Sequence, residues 1–240
     1  MGEGYFQQRN GLYVLDVMGA CGLMTGEQFR GLAAAVAELG VPAVKLTTRQ
    51  TVVLLVPEEK AVALKAAVES LGLRVAPYHN VVRPVMACPG SADLCPRALG
   101  DALALGQALQ ERYTGQEVPK DFKISVAGCP RGCTEPYCAD FGVVAAGGET
   151  YNVAIGGFGG SSRPRHGELI ARRVPRDAVF AILDHVLERY RALAQPREKL
   201  GRAVERLGLE AFLPPAQLLR PAEEPDPVLL ELKAFLGAPE

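Results

Sequence analysis

Two short loops, each holding a pair of cysteines, place the strongest constraint on this chain: Cys88 with Cys95, and Cys129 with Cys133. Proline and glycine shape both, as Cys88-Pro89-Gly90 in the first and Gly128-Cys129-Pro130-Arg131-Gly132-Cys133 in the second. Such residues favour tight, exposed turns. A buried core cysteine needs no such setting, whereas a loop that wraps a ligand does. Four thiolates brought together make a metal or iron–sulfur centre.

Spacing separates the metals. Structural zinc sites favour two residues between paired cysteines, but here three separate Cys129 from Cys133 and six separate Cys88 from Cys95. Wider loops suit a 4Fe–4S cluster better, with zinc as the rival. Six cysteines without secretory signals fit a reducing compartment and argue for ligands over disulfides. Cys21 reads as structural; Cys138 is either a neighbour of the cluster or a packed thiol.

With 240 residues, 48% of them hydrophobic, the chain suffices for one large domain or two small ones. Its 26 basic and 27 acidic residues leave a formal charge of −1, so no global field draws nucleic acid or an anionic membrane. The chain has neither a basic leader nor a long apolar run. A soluble, cytoplasmic protein is expected.

Strand and helix signals alternate in the first third. Tyr13–Val17 is β-rich; Thr25 and Gln28 form a capping box ahead of Phe29, Leu32, Ala33 and Val36, and Gly40 stops that helix. Residues 43–56 read as one long strand with Thr47-Thr48-Arg49-Gln50 in its middle. A helix from Pro57 to Leu71 and a short strand, Leu73–Ala76, follow. This β-α-β-α-β order suits a ferredoxin-like half-domain over residues 1–80. Residues 81–212 read as a second, α/β domain, with a helix from Pro96 to Tyr113, strands at Lys123–Ala127, Phe141–Ala145 and Tyr151–Ile155, and helices around Val179–Tyr190 and Leu200–Leu207. Residues 213–240 read as a Pro-rich linker and a helix, Val228–Leu236. The fold class is α+β.

Gly156-Gly157-Phe158-Gly159-Gly160 lacks the G-x-G-x-x-G spacing of a dinucleotide loop. Such a run either lets backbone approach a flat ligand or is a plain turn. Arg163, Arg165 and His166 behind it suit ligand carboxylates or a solvated surface. Lys45 and Arg49, set among apolar strand residues, point to an anion, or to a charged edge strand.

From about residue 10 to residue 212 the chain resembles the sirohaem-containing sulfite and nitrite reductase family. The resemblance rests on Leu46-Thr47-Thr48-Arg49-Gln50-Thr51, on Val82-Arg83-Pro84-Val85-Met86-Ala87-Cys88-Pro89-Gly90, and most strongly on Phe122-Lys123-Ile124-Ser125-Val126-Ala127-Gly128-Cys129-Pro130-Arg131-Gly132-Cys133. Asp140-Phe141-Gly142-Val143-Val144 and Gly156-Gly157 add to it. It implies a 4Fe–4S cluster on Cys88, Cys95, Cys129 and Cys133, with Cys133 also bridging to sirohaem. It further implies sirohaem contacts from Lys45, Thr47, Thr48, Arg131, Gly156, Gly157, Arg163 and Arg165, and a substrate oxyanion held by Arg49, Arg83 and Lys123.

The implied activity is six-electron reduction of sulfite or nitrite with a separate electron-donor protein, since no flavin or nicotinamide motif is present. A non-catalytic electron-transfer or tetrapyrrole-binding protein on the same scaffold is the alternative, and a cluster-only protein a third reading. Two departures stand out. Asp121 occupies a position where the family usually has lysine, and Lys120 beside it is out of phase with Lys123 on a strand. The first cysteine pair has six intervening residues where the family usually has five. Because large members contain two copies of the unit and this chain one, a homodimer is expected, in which Arg49, Arg83 and Lys123 of one subunit face the sirohaem held by Cys133 of the other; a low-molecular-mass, assimilatory-type enzyme that acts within one subunit is the competing picture.

Overall fold

The computed structural model describes residues 2–222; the helix expected at Val228–Leu236 lies outside the described residues. The chain opens with β1 (Gly2–Glu3), β2 (Tyr5–Gln7) and β3 (Tyr13–Met18), then α1 (Gly26–Glu38). The capping box starts α1: Thr25 Oγ1 accepts the Gln28 N–H at 3.1 Å and Gln28 Oε1 accepts the Thr25 N–H at 3.0 Å. Leu32 on this helix is buried, while Phe29 is exposed.

Residues 43–56 form a hairpin, β4 (Ala43–Leu46) and β5 (Thr51–Val56), instead of one long strand. The cause is local. Thr47 Oγ1 accepts the N–H groups of Arg49 (3.2 Å) and Thr51 (3.3 Å), which leaves its own proton for Thr51 Oγ1 at 2.6 Å. The Thr47 N–H reaches the Thr51 carbonyl at 3.0 Å, and Gln50 adopts φ +58°. Side-chain bonds of this kind compete with a continuing strand, so Arg49 sits at a turn. After α2 (Glu58–Ser70), β6 (Arg74–Val75) pairs with β3 and β7 (Pro77–Tyr78) pairs with β1. The sheet runs β2-β3-β5-β4, antiparallel throughout, with β5 inserted between β3 and β4. The extra strand makes the order β-α-β-β-α-β, which is ferredoxin-like. Leu15, Val17, Leu54 and Val56 pack on Leu64 and Val68 of α2 to form its core.

The second unit comprises β8 (Met86–Ala87), α3 (Ala102–Tyr113), β9 (Ile124–Ala127), a 3-10 turn at Pro136–Cys138, β10 (Phe141–Gly147), β11 (Thr150–Ile155), β12 (Glu168–Pro175), α4 (Arg176–Leu193) and α5 (Leu200–Leu207). Its sheet order is β12-β11-β10-β9-β8, with β8, β9 and β10 mutually parallel. The helix expected from Pro96 begins at Ala102, because Asp101 caps it by accepting the Ala104 N–H at 2.8 Å. Residues 96–101 belong instead to the first cysteine loop. β12 escaped the sequence reading: it is an edge strand whose register slips against β11, so no clean alternation marks it. Val179, Ile182, Leu183, Val186, Leu187 and Tyr190 of α4 form one buried stripe that packs, with α3, into the same core as the fully buried β9. Among the described residues no helix is long and apolar enough to cross a membrane.

Candidate functional site

Two parallel neighbours deliver the cysteines. β8 ends at Ala87 and β9 at Ala127, paired so that Ala87 lies opposite Val126, and the Cys88 N–H extends the ladder to the Val126 carbonyl at 3.1 Å. Parallel strands leave at the same end of a sheet, so both loops emerge together. They cross where Gly90 meets Gly128: a Cβ on Gly90 would lie 2.8 Å from Gly128 Cα and 2.9 Å from Cys88 Sγ. The Gly128 N–H donates to Cys88 Sγ at 3.1 Å, and Leu99 donates to the Gly128 carbonyl at 2.8 Å.

Cys88, Cys95, Cys129 and Cys133 line one cavity of about 280 Å³, together with Arg97 and Arg131. Burial pushes the Cys88 thiol up, against the pull of the Gly128 and Gly90 N–H groups. Among the described residues no three His, Cys, Asp or Glu side chains are grouped as a single metal ion would need. The four thiols line one space, which suits a multi-iron cluster.

Past Cys133 the chain doubles back over β9. Ser125 Oγ donates to the Thr134 carbonyl at 2.6 Å, and Thr134 Oγ1 donates to the Val126 carbonyl at 2.9 Å. This reciprocal pair returns Cys133 toward the start of β9, where Lys123 lies. A second cavity, about 520 Å³, is lined by Thr48, Arg49, Gln50, Met86, Lys123, Cys133, Thr134, Glu135, Cys138, Ala139, Gly159 and Gly160. Cys133 therefore belongs to both cavities.

A third cavity, about 350 Å³, is walled by Arg49, Tyr78, His79, Asn80, Arg83, Lys120, Asp121 and Lys123. It shares Arg49 and Lys123 with the second. Arg49 Nε and Nη2 are buried and have no hydrogen-bond partner. Burial, with repulsion from Arg83, lowers Arg49 to about 10. Burial also lowers Lys123, with Arg49 and Lys199 adding to the effect. Arg83 is different: it stacks on the Tyr78 ring, 4.2 Å from its centroid, and lies 3.8 Å from Asp16 Oδ2. Unpaired buried donors of this kind are costly, and a small anion would satisfy them.

Several sequence readings change here. Arg49, Lys123 and Cys133 of one chain line a single cavity, so the basic wall and the cysteine loops already meet within one subunit. Lys120 faces the basic cavity despite its strand phase, because β9 begins only at Ile124 and alternation does not hold before it. Asp121 lines the same cavity, but its carboxylate lies 3.5 Å from Lys199 Nζ.

Of the residues expected to contact sirohaem, Thr48 and Cys133 line the central cavity and Arg131 the cysteine-lined one. Lys45 is exposed on β4 and donates to the neighbouring Leu46 carbonyl at 2.8 Å; Thr47 serves the turn. Gly156 and Gly157 lie behind the cavity, and the later pair, Gly159 and Gly160, lines it. Arg165 is committed to the protein, pairing with Glu168 and donating to the Gly156 carbonyl at 2.8 Å. The Arg163 side chain is exposed and outside the cavity walls. Cys21 is buried in the second core, which pushes its thiol up to about 12, and Cys138 lines the central cavity.

Sequence reasoning missed Gln50, Asp140 and Lys199. The Gln50 amide donates to the Ala87 carbonyl at 2.8 Å and accepts the Ala87 N–H at 3.0 Å, tying the hairpin turn to the strand that leads to Cys88. Asp140 Oδ2 accepts the Lys123 N–H at 2.8 Å and meets Lys199 Nζ at 2.6 Å. Burial pushes the Asp140 carboxyl up, against the pull of Lys199. An Asp just before an apolar strand was the signal available for Asp140; Lys199, far along the chain and just ahead of α5, offered none.

A four-thiol cavity joined through one cysteine to a cavity with a basic wall defines the class, an iron–sulfur redox protein. Residues 78–218 match the nitrite and sulphite reductase 4Fe–4S domain, and residues 6–71 match the nitrite/sulfite reductase ferredoxin-like half domain. The chain belongs to the nitrite and sulfite reductase family, whose cofactors are a 4Fe–4S cluster and sirohaem.

It is 31% identical over 212 residues to an assimilatory-type sulfite reductase of Nitratidesulfovibrio vulgaris, spanning 88% of this chain and 95% of that one. It is 29% identical over 203 residues to the NAD(P)H nitrite reductase of Bacillus subtilis, spanning 84% of this chain but only 25% of that one. Among solved structures, dissimilatory sulfite reductase I matches with a TM-score of 0.73 at 14% identity, over 90% of this chain and 72% of that one. The Mycobacterium tuberculosis NirA protein matches at 0.70 and 21% identity, over 88% and 41%. These two likenesses concern the fold.

Proposed function

We propose that the chain is a sulfite or nitrite reductase that binds a 4Fe–4S cluster through Cys88, Cys95, Cys129 and Cys133, and sirohaem in the central cavity. The observation that carries this reading is Cys133, the one cysteine common to the two cavities. The bound groups would supply the six electrons, received from a separate donor protein. The chain's own residues do the rest. Arg49 and Lys123, on the wall between the central and basic cavities, hold the oxyanion by charge-assisted hydrogen bonds, each about twice as strong as a neutral one. Lys123 also serves as a proton donor to the bound anion, since its lowered proton affinity eases release. Arg83, stacked on Tyr78, keeps the approach cavity positive for the incoming anion.

The non-catalytic alternative drew its support from Asp121, and that carboxylate is paired with Lys199. Purified protein with both cofactors should bleach reduced viologen with sulfite or nitrite as acceptor, releasing sulfide or ammonia. Consumption of neither acceptor overturns the reading. Kinetics with both acceptors on one preparation identify the substrate.

A further inference from the structure

Lys199 immediately precedes α5 and is buried, with only 6% of its surface exposed. An ammonium carries three N–H donors, and three acceptors surround this one: Asp140 Oδ2 at 2.6 Å, Asp121 Oδ2 at 3.5 Å, and the Asp121 carbonyl. The Phe158 ring, with its centroid 5.5 Å away, closes the other side. With its protons engaged, Lys199 has none left for a substrate, so whatever it does is done through its partners.

Those partners belong to the basic wall. Asp121 lines the third cavity alongside Arg49, Arg83, Lys120 and Lys123. Asp140 holds the Lys123 main chain through its N–H, using the same oxygen that meets Lys199, and its other oxygen has no partner. Both carboxylates act electrostatically on Arg49 and Lys123. Left uncompensated, they would draw these two cations onto themselves and away from the cavity. We propose that Lys199 is a positioning residue for the oxyanion site: one buried ammonium that neutralises Asp121 and Asp140 together, so that Arg49 and Lys123 stay directed at the anion. The identity of that anion rests on the reductase reading; the positioning role does not.

Wild type, Lys199→Met, Asp121→Asn and the double variant, each with both cofactors at matched content, separate these roles. The readouts are the equilibrium sulfite dissociation constant and the hydrogen-exchange rate of the Lys123 amide. Lys199→Met is expected to weaken sulfite binding roughly tenfold or more and to speed Lys123 exchange by a similar factor, as expected when one partner of a buried pair is lost. Asp121→Asn in that background should restore much of the affinity, which repacking alone does not do. Asp121→Asn by itself should tighten sulfite binding.

Lys199→Met within twofold of wild type in both readouts overturns the proposal. So does a double variant that binds no better than Lys199→Met. Should Lys199→Met fail to fold, Asp121→Asn decides, and unchanged or weaker binding there counts against it. If wild type binds neither sulfite nor nitrite, the functional reading falls, and Lys123 exchange alone decides the positioning role.

Discussion

Arg49→Met should make the protein more stable and less able to bind its anion. The guanidinium sits at a hairpin turn with Nε and Nη2 buried and unpartnered. Its proton affinity falls from the ordinary arginine value to about 10, chiefly through burial and then through Arg83. At ~1.4 kcal/mol per pKa unit, keeping this charge in place costs about 3 kcal/mol. Methionine nearly matches the length of the arginine stem and removes both the charge and the unmet donors, so the variant should gain about 1–3 kcal/mol.

For a chain of this size that corresponds to a rise of roughly 2–10 °C in the midpoint of thermal unfolding, read by calorimetry on preparations with matched cofactor content. The sign with pH follows from proton linkage. Below pH 10 the guanidinium is charged in both folded and unfolded states, and the cost is fully present. As pH rises through about 10 the folded state loses the proton first, the unfolded state binds more protons, and wild-type stability recovers relative to the variant. The gap between the two should therefore narrow at alkaline pH. A variant that melts below wild type at neutral pH refutes the argument, as does one that keeps its sulfite affinity.

Cys133→Ser should lose both iron content and the visible bands of sirohaem, whereas Arg83→Ala should keep both and raise the KM for the anion; equal cofactor loss in the two contradicts the assigned roles. Gln50→Ala removes two hydrogen bonds and leaves the nearly buried Ala87 N–H and carbonyl unmet. It should cost about 2–4 kcal/mol, measurable as a lowered unfolding midpoint, and a cost below about 0.5 kcal/mol would show that the clamp is dispensable. Arg165→Gln should lower the midpoint without changing sirohaem content, because its partners are Glu168, Glu205 and backbone carbonyls.

The contrast between Cys133 and Lys199 shows what a sequence can disclose about such a site. Cysteine loops are local: proline and glycine within a few residues of each thiol determine the turn, so the ligand loops can be read from the string itself. Parallel pairing of β8 and β9, which brings the loops together, is non-local but follows from two short strands that each end at a cysteine loop. The hairpin at residues 47–50 is also encoded locally, yet it was hidden, because Thr47 and Thr51 are good strand residues and only their mutual hydrogen bonds bend the chain. Asp121 could not be weighed from the sequence for a different reason. A carboxylate's effect depends on where the nearest cation lies, and that cation stands 78 residues away on another element. Charge inferred from neighbours in sequence therefore has the least authority where the site depends on it most, and the electrostatic character of the basic wall is a property of Lys199, Asp140 and Asp121 taken together.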